Sequence, residues 1–207
     1  MSFCPFFLTH QRKAVILSTA KTNNQTSQLL IRQIETQDLN DLCELLANSF
    51  HPPQGLMTLV YPLLKLGIYE DLRSRLHSPS PYYLCLVAQM SMAESVSPSR
   101  PISGTVEMTL RSYASSHHST KHPYIANLAV RRGDRRQGIA SHLLNHCEQT
   151  ARAWGFQEIY LHVLETNYQA KQLYFNCGYH LYRTEYDYLN TWFHRPQRLL
   201  LRKKISY

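Results

Sequence analysis

The sequence predicts an α+β domain built on one central sheet, and three observations carry that prediction. Strand-like and helix-like segments alternate along most of the 207 residues. Glycines stand where two helices should end, at Gly155 and Gly178. The composition, 43% hydrophobic with 14 Tyr and 7 Phe, supplies a core that a disordered chain lacks.

The elements follow in order. Leu29 to Ile34 forms a first strand. A helix starts at Thr36-Gln37-Asp38-Leu39, carries Leu42, Leu45, Leu46 and Phe50 at helical spacing, and ends at Pro52-Pro53. A second runs from Leu56 to about Leu76, with Pro62 as its start or a kink. Tyr82 to Gln89 and Ile102 to Leu110 have the β-branched, aromatic character of strands. The Ser/Pro-rich stretch Met90 to Pro101 and the Ser/His-rich stretch Arg111 to His122 are loops, and Tyr124 to Val130 is the next strand. Ile139, Leu143, Leu144, Cys147, Ala151 and Trp154 mark an amphipathic helix. Glu158 to Leu164 is a strand, Ala170 to Cys177 a short helix, and Tyr179 to Tyr188 pairs with Arg198 to Ile205. That makes about seven strands and about four helices.

Charge and cysteine usage narrow the function classes. The formal net charge of +8 comes from the ends. Arg12, Lys13, Lys21 and Arg32 precede any acid, and Arg195, Arg198, Arg202, Lys203 and Lys204 follow the last one, which leaves the body near neutral. A nucleic-acid stripe across the body is therefore disfavoured. No run of about 18 apolar residues exists to span a membrane. Five cysteines without a C-x-x-C pair fit neither a disulfide framework nor a zinc site and point to a reducing compartment. Residues 1–28 are acid-free and are read as a leader or extension, with residues 29–207 as a single domain. The expected location is cytoplasmic, or the plastid stroma if the leader is a transit peptide. Oligomeric state is left open.

The segment Val130-Arg131-Arg132-Gly133-Asp134-Arg135-Arg136-Gln137-Gly138-Ile139-Ala140 runs from a strand through an Arg/Gly turn into a helix. The first helical N–H groups have no intrahelical partner, and the macrodipole places about +0.5 charge there. Gly138 and Ala140 keep side chains out of the way, so the turn can cradle a phosphate.

Arg135-x-x-Gly138-x-Ala140 resembles the [Q/R]-x-x-G-x-[G/A] signature of the GNAT superfamily of N-acetyltransferases. Tyr124 to Val130 looks like that family's fourth strand, and Asn167-x-x-Ala170-x-x-Leu173-Tyr174-x-x-x-Gly178-Tyr179 like its second motif. The wording Ala-x-Leu-Ala-Val, Arg-Arg-Gln-Gly-Ile-Ala and Leu-His-Val is similar to cyanobacterial and plastid-type members. The resemblance implies the GNAT fold, a mixed, mostly antiparallel sheet splayed at the cofactor cleft. It also implies an acetyltransferase that uses acetyl-coenzyme A as co-substrate, without metal, and transfers directly to an amine on a peptide, protein or small molecule. A non-catalytic acyl-coenzyme A module of the same fold is the alternative.

The residues that the resemblance implicates are these. Backbone at Leu128 and Val130 would hold the pantetheine arm and thioester carbonyl. Arg135, Arg136, Gln137, Gly138, Ile139 and Ala140 would hold the pyrophosphate, and Asn167 belongs to the second motif. Tyr174 is the expected general acid for the departing thiolate, its phenol protonated at neutral pH. The attacking amine must be neutral, which requires a base, a water chain or a substrate that arrives deprotonated; Glu107, on the strand Ile102 to Leu110, and His162, on the strand Glu158 to Leu164, are the candidates for the base. His117, His118 and His122 are read as loop residues and not as metal ligands, and Cys177 as a buried thiol; His51 lies where the resemblance implies the acceptor pocket, and is either a substrate contact or a plain turn residue.

Overall fold

A computed structural model describes residues 17–22, 25–50, 57–77, 80–92, 101–113, 120–185 and 196–205. Eight strands form one sheet in the order β1-β2-β3-β4-β5-β6-β8-β7. They are β1 (Leu17–Thr22), β2 (Gln25–Gln33), β3 (Leu84–Met92), β4 (Gly104–Tyr113), β5 (Thr120–Val130), β6 (Glu158–Leu164), β7 (His180–Glu185) and β8 (Arg198–Lys204). Four α-helices accompany them: α1 (Leu39–Phe50), α2 (Met57–His77), α3 (Ile139–Ala153) and α4 (Tyr168–Asn176). Every neighbouring pair is antiparallel except β5 and β6. The eighth strand, one beyond the seven expected, is β1, which folds back on β2 within the stretch read as a leader.

Local chemistry explains the helix boundaries. Glu35 and Asp38 cap each other across the 3-10 turn that precedes α1, and Asp38 also takes Arg32 of β2 at 2.5 Å. From there Leu39, Leu42, Leu45 and Leu46 bury one face of α1, each contributing about 1.5–3 kcal/mol. Pro62 lies inside α2, near its start, where its missing N–H removes a single helical bond. Gly155 (φ +86°) and Gly178 (φ +83°) adopt the left-handed conformation just beyond α3 and α4.

The Ser/His-rich stretch is shorter as a loop than its composition suggests. β4 runs to Tyr113 and β5 begins at Thr120, with Tyr113 opposite Thr120. Ladder pairing outweighs the polar sequence at both ends. His51, His117 and His118 lie outside the described residues.

The two faces of the sheet carry different helices. On one, Ile139, Leu143, Leu144, Cys147 and Ala151 of α3 pack with Leu86, Val106, Ile125, Leu161, Val163 and Leu201, and Tyr174 of α4 joins them. On the other, α1 and Leu72 of α2 pack on Cys85, Val87 and Ala129. Ile125 and Ala129 are four residues apart on one strand and should share a face, yet they serve opposite cores. A bulge between them accounts for this: Thr105 pairs with Ala129 but Glu107 with Ala126, so β5 carries an extra residue, and Asn127 turns to φ +52°.

Candidate active site

β5 and β6 pair only at Tyr124–Tyr160 and Ile125–Leu161. β6 then follows β8 along its whole length while the bulge carries β5 away. The parting opens a cavity of about 750 Å³ that passes through the sheet. On the α3/α4 side it is lined by Ile125, Val163, Asn167, Ala170 and Tyr174; on the α1/α2 side by Tyr124, His162, Ile68, Arg75, Arg111 and Arg198. Leu128 lines it as well, from the strand beyond the bulge. His162, Leu128, Asn167 and Tyr174 therefore share one cavity.

Face assignment follows from strand parity. Ile159, Leu161 and Val163 point into the α3 core, so Tyr160 and His162 point the other way. There the Tyr124 hydroxyl lies 2.9 Å from His162 Nδ1, and His162 Nε2 lies 2.9 Å from Glu185 Oε2. An ionised carboxylate only accepts, so the tautomer with its hydrogen on Nε2 suits Glu185 and leaves the Nδ1 lone pair toward the phenol. Burial lowers the proton affinity of His162 below its ordinary value; Glu185 opposes this, and Arg198 and Arg111 add to it. Burial alone would raise the Glu185 pKa, but His162, Arg183 and Arg198 overcome it and hold the carboxyl below its ordinary range. The imidazole is thus neutral at pH 7, with a fixed anion behind it.

Tyr174 stands on the opposite face, 8% exposed, with its ring edge-on to Tyr179 at 5.9 Å. Burial pushes its pKa up, and Tyr124 and Cys177 push it further, so the phenol keeps its proton. Asn167 caps α4, its Oδ1 accepting from the Ala170 N–H at 3.1 Å.

Glu107 is 1% exposed and stands one layer behind the cavity wall. Its Oε1 accepts from Arg75 at 2.6 Å and its Oε2 from the Asn127 side-chain amide at 2.6 Å. Arg75 also pairs with Asp71 at 2.8 Å. Arg75 and Asn127, which do face the cavity, are thereby fixed by a buried carboxylate.

At the other end of β5, two of the four arginines stitch the turn to the sheet. Arg131 Nε donates to the Ile102 carbonyl at 3.0 Å and Arg135 Nε to that of Val130 at 3.1 Å. Arg136 (φ +66°) and Gly138 (φ +79°) bend the chain into α3. Gly138 is the N-cap and offers no side-chain acceptor, so the first-turn N–H groups of Ile139 and Ala140 are not taken by a cap. Val130 ends β5 and the run from Arg135 to Ala140 leads into α3, all of them outside the cavity lining. Ile139 itself is core, pressed against Gly104.

Cys177 is half-buried, its Sγ 3.7 Å from Ser141 Oγ. His122 packs against Tyr160 with ring centroids 5.2 Å apart and planes tilted by 55°. Among the described residues no three His, Cys, Asp or Glu side chains gather to hold a metal, and no helix is long and apolar enough to cross a membrane. Sequence reasoning missed Tyr124, Asn127, Arg75 and Glu185. Only Asn127, a turn-prone residue inside an apolar strand, left a local signal.

Comparison with known proteins agrees with this architecture. The chain is 30% identical over 166 residues to GCN5-related N-acetyltransferase 10, chloroplastic, of Arabidopsis thaliana, a match that takes in 77% of this chain. The match spans 65% of the length of that relative. Its fold superimposes on a PaiA N-acetyltransferase of Thermoplasma acidophilum solved with coenzyme A (TM-score 0.61, 17% identity, 85% of this chain and 98% of that one). It also superimposes on Naa20 of Chaetomium thermophilum solved with a bisubstrate analogue (TM-score 0.59, 22% identity, 84% and 85%). The acetyltransferase (GNAT) family matches residues 66–179, from the middle of α2 to the end of the second motif, which takes in the bulge, the Arg/Gly turn before α3 and both cavity tyrosines. The chain belongs to that family.

Proposed function

We propose that this protein transfers an acetyl group from acetyl-coenzyme A directly to an amine through a ternary complex. The observation that carries this reading is the through-sheet cavity, with a neutral imidazole and its phenol on one face and a protonated phenol on the other. The residues present fit the co-substrate. An uncapped helix start behind a left-handed glycine suits a pyrophosphate, and the bulged backbone at Asn127–Leu128 is free of the regular β4 ladder. When bound, acetyl-coenzyme A supplies the activated acyl group and the thiolate leaving group.

The chain's own residues then divide the proton traffic. Tyr124 Oη receives the amine proton while its own hydrogen passes to His162 Nδ1, and Glu185 stabilises the resulting imidazolium. Tyr174 Oη gives its proton to the departing sulfur on the other face. No covalent enzyme intermediate is needed. Glu107 acts as a positioning residue, holding Arg75 and the Asn127 bulge in place. Peptide, protein and small-molecule amines all remain acceptors of this reading. The chloroplast address in the name of the Arabidopsis relative supports the stromal alternative for location.

A thiol-release assay against a panel of amines, run beside calorimetric titration of coenzyme A, tests the proposal. Binding with turnover supports it. Binding without turnover on every amine favours the non-catalytic module, and no binding overturns the phosphate site.

A further inference from the structure

We propose that the acceptor carries a carboxylate close to its reacting amine, and that Arg111 and Arg198 bind that carboxylate at the mouth of the cavity. The inference rests on the acetyltransferase reading and names the substrate class of that site. Both arginines line the cavity on the Tyr124/His162 face. The Arg111 guanidinium stacks over the Tyr124 ring, 4.0 Å from its centroid, next to the phenol that takes the amine proton. Arg198 opens β8, paired with Leu164 of β6 on one side and Glu185 of β7 on the other.

What sets these two apart from Arg75, the other arginine of the cavity lining, is that no carboxylate among the described residues pairs with them. Arg32, Arg75, Arg183 and Arg202 each hold a carboxylate oxygen within 3.2 Å. Among the described residues no carboxylate comes within 4.0 Å of Arg111 or Arg198. Among the described residues the nearby carboxylates are committed elsewhere: Asp71 and Glu107 to Arg75, Glu185 to His162 and Arg183. Two planar cations thus face the acceptor side with no ion-paired carboxylate among the described residues, each carrying the fork of donors that suits a carboxylate. The same field repels a polyamine and disfavours the protonated form of an incoming amine, which is the form that cannot attack. A carboxylate on the acceptor, whether the α-carboxylate of a free amino acid or an acidic side chain beside a peptide N-terminus, neutralises both cations while leaving the amine at Tyr124.

Isosteric acceptor pairs test this by thiol release: alanine against alaninamide, C-terminally amidated Ser-Glu against Ser-Gln peptides, and spermidine alone. We expect at least one acidic member to exceed its neutral isostere by about tenfold to a hundredfold in kcat/KM. The pair that responds identifies the source of the carboxylate. In an Arg111→Gln/Arg198→Gln double variant the preference should collapse toward unity while coenzyme A affinity is retained. Equal rates within both pairs, or spermidine as the best acceptor, overturn the inference and leave the acetyltransferase reading standing. If no acceptor turns over, calorimetric titration of the same pairs into the coenzyme A complex decides: tighter binding of the acidic member supports the inference, and equal or absent binding overturns it. Failure of coenzyme A itself to bind overturns the parent reading and this inference with it.

Discussion

The proposed cofactor side and the proposed acceptor side of the sheet are built on opposite principles. On the α3/α4 side, backbone does most of the work: a bulged strand, a left-handed glycine and an uncapped helix start. On the α1/α2 side, function is assembled from side chains far apart in the chain. Arg75 reaches Glu107 across 32 positions, and Tyr124 meets His162 across 38. Backbone devices leave short, contiguous sequence patterns, whereas assembled side chains leave none. The comparison predicts that acceptor-side substitutions cut turnover while sparing cofactor affinity, and that turn substitutions do the reverse.

The largest effect should come from the acceptor side. His162→Ala removes the proposed proton acceptor, and kcat/KM should fall about 10²- to 10⁴-fold, with coenzyme A affinity within error of wild type by calorimetry. Next is Gly138→Asp, which adds a Cβ and a negative charge beside the uncapped N–H groups at a φ of +79°. Coenzyme A binding should weaken about tenfold or more, and unchanged affinity would break the phosphate assignment.

A third substitution tests the packing that holds the turn in place. A Cβ on Gly104 would lie 2.9 Å from Ile139 Cγ2 and 3.2 Å from the Ala129 carbonyl oxygen. Gly104→Ala should therefore cost about 1–3 kcal/mol, seen as a fall of about 3–10 °C in Tm. An unshifted Tm would mean that α3 can retreat from β4 freely.

The smallest effect sharpens the electrostatics. His162 works as a base only when neutral, and its pKa lies below the ordinary 6.5 because of burial first and then Arg198 and Arg111. At saturating acceptor, kcat should stay level through neutral pH and fall only below 6.5, as the imidazole gains its proton. Arg198→Gln removes one lowering influence, so the falling limb should move to higher pH. A shift the other way would contradict the assignment.

How much of this was legible in the sequence follows the same divide. α3 and β6 were read to within a residue or two, because amphipathic spacing and Gly155 mark them. Gly138, Asn167 and Tyr174 are singled out by motif spacing. For His162 alternation gave a face but not which face, since that depends on where α2 packs. Glu107 was read as a base, and no sequence pattern announces that Arg75 and Asn127 occupy both its oxygens. Tyr124 read as an ordinary strand aromatic because its partner lies on another strand.

The most direct test of the division across the sheet is Tyr124→Phe, measured for turnover and for coenzyme A affinity on the same preparation. The account predicts a loss of kcat of at least about a hundredfold with unchanged coenzyme A affinity. Full turnover, or a loss of coenzyme A affinity that matches the loss of rate, would contradict it.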